Sequence, residues 1–358
     1  MNPSNGFEMT KRVAARSGLA ALCLALPGLA QAHGGEIHPG QSLWHWSPEI
    51  LIGLGLAGAV YARGALRGPR PPAGLAFAFY AGLLALFIAL ISPVERLADH
   101  IFAVHQVEHM LLRTIGPLLL FLSMPQAVLM RGLPQAVRKR LTGPVASTGA
   151  VRSFIGFLRK PLVATLLFLA SSYVWMMPAW HDLAILDTPI HYLWHVSLLI
   201  SGLIFFSVVF DPRSTGDAVS IGGRLGMVVA AALGNIVLGA FLTFKTVSIY
   251  SAYRIIGHGW NVPMVFDEQT GGAIMWIPGT MMFAMSALIM IHRWSRQEER
   301  SVDRRRRDNR PLRTASSAKA NNALALGLAG FALVMLMAAV VIAIVIHHTE
   351  AAGTMIIP

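Results

Sequence analysis

Long apolar runs separated by short polar segments recur along the chain from Leu51 to Ile346. A helix rises about 1.5 Å per residue, so about 20 apolar residues cross a hydrocarbon layer about 30 Å thick. Runs of that kind fall near 48–66, 75–92, 105–130, 161–178, 190–210, 224–244, 272–292 and 323–346. A water-soluble core has no room for so many. The pattern predicts an all-α fold, a polytopic transmembrane helical bundle with a seven-span core plus one extra C-terminal span.

Composition agrees, with 55% hydrophobic and 13% charged residues. The formal charge of +12 raises the question of nucleic acid. The basic residues, however, sit in short segments between apolar runs with no aromatic interleaving for base stacking, and no nucleic-acid partner is expected. They read instead as a topology signal. Segments 63–74, 131–160, 211–224 and 293–322 carry 22 Lys and Arg, against Arg96, Lys245 and Arg254 in the opposite set. The positive-inside rule puts the first set in the cytoplasm of a bacterium and the protein in its inner membrane.

At the N-terminus, Lys11, Arg12 and Arg16 precede a short apolar stretch and the triplet Ala30-Gln31-Ala32. That is the layout of a cleavable signal peptide over residues 1–32. Residues 33–47 then form a periplasmic N-terminal segment and 48–293 the seven-span core. A basic cytoplasmic linker occupies 294–322, the eighth span 323–346 and a periplasmic tail 347–358. The single cysteine, Cys23, lies within the signal, which leaves no thiol for disulfides or metal.

With this topology, twelve of the thirteen histidines fall on the outward side, and only His292 falls on the other. His105/His109 and His191/His195 are spaced four apart near the starts of two predicted spans. That spacing puts both rings on one helix face, about 6 Å apart along the axis. Each pair can offer two imidazole nitrogens to one ion, whereas a lone membrane-edge histidine more often bonds a head group or neighbouring helix. Glu108 is costly at membrane depth unless paired or functional. It reads either as a ligand or ligand-orienting group, or as the ion-pair partner of Arg113. Glu95, Asp99, Asp182, Asp187, Asp267, Glu268 and Glu350 add to an acidic outer face that attracts cations. Met110, Met176, Met177, Met264 and Met275 lie on the same side. Thioether and imidazole without thiolate favour copper, although methionine is also ordinary core filler. His33 and His38 read as a flexible leader or as extra ligands.

The stretch HQVEHMLLRTIGPLLLFLSMP, His105 to Pro125, resembles a signature of the CtaG-type multi-span membrane family of cytochrome c oxidase assembly factors. AWHDLAILDTPIHYLWH, Ala179 to His195, and DEQTGGAIMWIPG, Asp267 to Gly279, resemble two further segments of that family in the same order. The resemblance covers roughly Trp44 to Trp294. Glu108, Asp182 and Glu268 depart from the family pattern. The resemblance implies help in building haem-copper oxidases, with copper handled at the outer face. It carries over His105, His109, His181, His191, His195 and Asp267 as the site. Apart from the resemblance, Glu108, His100, Met110, His258, His33 and His38 are accessory candidates. Expected partners are haem-copper oxidase subunits, the lipid bilayer and a periplasmic copper chaperone.

Two other functions compete. A membrane haem or metal oxidoreductase would need facing axial histidines, and rings about 6 Å apart on one helix cannot serve two macrocycles, so haem is not expected. A copper transporter would need a ladder of ligands reaching the cytoplasmic half, and the sequence shows none.

Overall fold

The computed structural model describes residues 43–140, 148–211, 219–259 and 261–307, which are helical with no strand. The expected signal peptide, His33 and His38, the later part of the basic linker, the eighth span and the tail lie outside the described residues.

In chain order the helices are α1 Pro48–Leu66, α2 Ala73–Ile91, α3 Pro93–Ala98 and α4 Phe102–Met110. A π turn, Leu111–Ile115, leads into α5 Gly116–Leu122 and α6 Gln126–Gly132. Then come α7 Gly149–Leu158, α8 Pro161–Trp175, α9 Pro178–Leu186, α10 Thr188–Val209, α11 Ile221–Phe244, α12 Ala252–Ile256 and α13 Met264–Arg307. Five of them, α1, α2, α10, α11 and α13, are long and apolar enough to cross a membrane unbroken. Two bent pairs bring the possible total to seven. The chain is therefore a multi-pass helical membrane protein.

Local chemistry explains many helix starts. Proline opens α1, α3, α8, α9 and α10 within the first two positions, where its missing N–H costs nothing. Ser92, Asp187 and Ser220 accept from backbone N–H groups two or three residues on. The bends are equally local. Lys160, ahead of Pro161, is extended as pre-proline sterics require, and α7 meets α8 at 66°. Met124, at φ 47°, reverses the chain before Pro125, so α6 departs at 79°.

Close packing is set by small residues. A methyl group on Gly64 would overlap the carbonyl of Val128, and one on Gly132 that of Val60, so α1 and α6 touch backbone to backbone. Gly239 and Gly272 do the same for α11 and α13. Pro278 lies inside α13 with no N–H to give, and in the turn before it the Met275 carbonyl accepts the Asn235 amide of α11 at 2.6 Å. The last helix is longer than the apolar run predicts. It begins at Met264, because the buried acids there are satisfied, and continues to Arg307 through residues that favour helix intrinsically.

Two cores result. One is stacked phenylalanine and aliphatic side chains: Phe168, Phe205, Phe206 and Phe283. The other surrounds Phe102, Trp175, Trp194, Tyr250 and Tyr253 and holds the histidines.

Candidate metal centre

α4 supplies His105, Glu108 and His109, and α10 supplies His191 and His195. One ligand atom from each of His105, Glu108, His109 and His195 lies within 4.8 Å of the other three. The His105 and His109 rings are 4.1 Å apart, and His105 and His191 5.4 Å apart. His195 Nε2 stands 3.5 Å from Glu108 Oε1 and 3.1 Å from His191 Nε2. Donors about 2.0–2.1 Å from a tetrahedral ion stand about 3.3 Å from each other, which the 3.5 Å and 3.1 Å separations at His195 approach, while the wider ones would close only on binding an ion. His105 and Glu108 are fully buried and His109 is nearly so.

The proton positions at His105 follow from its neighbours. His181 Nδ1 faces the Trp175 carbonyl at 3.3 Å, which can only accept, so Nδ1 carries the proton. Burial holds the His181 pKa down at about 3, so the ring is neutral and its Nε2 is an acceptor. Tyr253, whose hydroxyl is 3.2 Å from that nitrogen, donates to it. The same hydroxyl oxygen then accepts from His105 Nδ1 at 2.9 Å. In the neutral ring this leaves a bare lone pair on His105 Nε2, which is buried with no hydrogen-bond partner. His109 Nε2 and both Glu108 carboxylate oxygens are likewise buried without a hydrogen bond. Buried polar atoms are seldom left so, and a metal ion would satisfy all of them together. The donor set of imidazoles and carboxylate fits a first-row transition metal.

Other predicted site residues do different work. Asp267, on α13, accepts from Phe102 N at 2.8 Å and Ala103 N at 2.9 Å, capping α4 from across the bundle. Its Oδ2 also meets His258 Nε2 at 3.0 Å. His100 is tied to the Gly257 carbonyl at 2.9 Å. Asp182 holds Ser251 and Ala252, and Glu268 holds Lys245, Ser248 and Ile249, which fixes the loop with Tyr250 and the start of α12 with Tyr253. His191 Nδ1 approaches Asp99 at 3.8 Å, and His45 Nδ1 approaches Glu95 at 3.3 Å. Glu108 and Arg113 do not pair. The π turn carries Arg113 away to Phe168, 3.9 Å from guanidinium carbon to ring centroid, while Glu108 faces His195. Met110 lines a cavity below His109 rather than the cluster.

Sequence reasoning missed Tyr253 and Trp194. Trp194 is fully buried and packs 4.8 Å from His105 and 4.4 Å from His109. Its place between two histidines in HYLWH was a signal. Tyr253, in an ordinary-looking loop, gave none. Burial raises the pKa of both Tyr250 and Tyr253, so these hydroxyls stay protonated and able to donate.

The family described as cytochrome c oxidase caa3 assembly factor (Caa3_CtaG) matches residues 56–297. Uncharacterized proteins of Mycobacterium bovis and Mycobacterium tuberculosis are each 28% identical over 269 residues, 71% of this chain and 39% of theirs. One of Mycobacterium leprae is 28% identical over 261 residues, 70% of this chain and 38% of its own. The chain thus spans about two fifths of the length of these relatives. No solved structure matches it.

Proposed function

This chain belongs to the family of cytochrome c oxidase caa3 assembly factors, and on that premise we propose that it binds copper and passes it to a haem-copper oxidase during assembly. His105, His109, His195 and Glu108 would hold the ion, with His191 beside them. His181, Tyr253 and Asp267 would position the ligands rather than touch the metal. The surplus of Lys and Arg in the segments away from the histidines supports a periplasmic site in a bacterial inner membrane. There it would meet a periplasmic copper chaperone as donor and an oxidase subunit as recipient.

The observation that carries this reading is the lone pair on His105 Nε2, fixed by the Trp175–His181–Tyr253 hydrogen bonds and turned toward other unsatisfied donors. Haem suits the site less well, because imidazoles and Trp194 fill the space a macrocycle would need. A transport path suits it less well too, since Arg113 puts a positive charge next to the cavity beneath His109.

The test is metal analysis of protein purified after copper exposure. Wild type should retain about one copper per chain, and a His105→Ala/His109→Ala variant should lose it and fail to support oxidase assembly. Copper retained by that variant, or oxidase matured without those histidines, would overturn the proposal.

A further inference from the structure

Arg113 lies one helical turn beyond His109 and is 7% exposed. Among the described residues no carboxylate forms an ion pair with it, and its Nε donates no hydrogen bond. The guanidinium carbon is 3.9 Å from the Phe168 ring centroid, a separation reached only over the ring's face. That contact covers one side of the cation and leaves its N–H donors directed around the edge. A ring face offsets only part of what a charge loses on leaving water, so a counter-charge is missing.

The space for one is present. Arg113 lines a cavity of about 30 Å³ together with the hydroxyl-bearing Thr114 and Ser172. Both are buried, and each carries a hydroxyl that can donate a hydrogen bond. A volume of this size accommodates about two water-sized particles, which suits a small anion better than an organic acid or a phosphate ester. The thioethers of Met110, Met176 and Met275 also line it and would suit a soft cation, but the guanidinium repels one.

We propose that this cavity binds a small monovalent anion of the chloride class, held by Arg113, Thr114 and Ser172. It is lined on one side by His109, so it adjoins the candidate metal cluster directly. The anion neutralises the buried guanidinium, and the site stands whether or not the histidine cluster takes copper.

The experiment uses the metal-free full-length protein in a neutral detergent, unfolded thermally in sodium chloride, sodium bromide or sodium gluconate at equal ionic strength. Gluconate is a bulky organic anion poorly matched to a cavity of this volume. Chloride and bromide should raise the midpoint by a few degrees over gluconate, saturably, and Arg113→Met should abolish the difference. A Thr114→Val/Ser172→Ala variant, which keeps the charge, should respond with an affinity about tenfold weaker. Arg113→Lys should retain the response, which guards against a variant that merely misfolds. Equal midpoints in the three salts for wild type, or a chloride response surviving in Arg113→Met, would overturn the proposal. Copper content is a separate readout, so failure here leaves the metal reading standing and its failure leaves this one.

Discussion

Glu268 and Glu108 are both fully buried, at the same end of the bundle, and their circumstances are opposite. Glu268 is surrounded by donors: the Lys245 ammonium, the Ser248 hydroxyl at 2.5 Å and the Ile249 N–H at 3.1 Å. Asp267, its neighbour, has two backbone N–H groups and His258. Glu108 has no hydrogen bond at either oxygen and faces imidazoles instead. A carboxylate with its lone pairs taken is part of the scaffold, whereas one without a hydrogen bond, beside imidazoles, suits the metal site proposed above. The difference lies in the partners, since all three side chains are buried acids.

That contrast can be broken by mutation. The largest loss is expected from Glu268→Ala, which strands the Lys245 ammonium in the interior and should cost about 3–5 kcal/mol, read from unfolding in detergent. Asp267→Ala should cost about 2–3 kcal/mol by uncapping α4, and copper binding should fall with it because the histidine helix loses its anchor. Glu108→Gln should do the reverse. Metal affinity drops about 10–100-fold by isotherm titration, while the metal-free protein unfolds no more easily than wild type. A Glu108→Gln protein as unstable as Glu268→Ala would erase the distinction between scaffold and site.

At neutral pH the smallest effect is expected at His181, whose contribution shows only in acid. Its pKa is lowered by burial to about 3, below the 6.5 of an exposed ring. Between those values the unfolded chain holds a proton that the folded chain does not, so stability is full above pH 6.5 and falls as the pH drops toward 3. His181→Gln should flatten that slope by up to about 1.4 kcal/mol per pH unit, measured as unfolding free energy across the acid range.

The sequence carried the helices well because lipid demands length: 48–66 and 190–210 coincide with α1 and α10 nearly to the residue. It carried the breaks poorly. The turn at Met124 and the π turn at Leu111–Ile115 depend on how neighbouring helices pack, as in the contact of Gly202 with the Arg113 carbonyl. The four-residue histidine spacings located the cluster, since that geometry is intrinsic to a helix. They could not say which acids would join it. The donors that occupy Asp267 are main-chain N–H groups, which leave no trace in residue identity. Tyr253 was invisible for a related reason: it meets His105 from 148 positions away.

The cap on α4 has a consequence for the order of synthesis. Phe102 N and the Asp267 carboxylate that receives it are 165 positions apart, and Tyr253 is likewise made long after His105. As the chain leaves the ribosome, the helix bearing His105 and His109 is complete while its anchor and its proton-setting tyrosine are still unmade. A half-finished chain therefore carries the histidines but not their alignment, and the candidate site takes its shape only once the last helix of the core is in place.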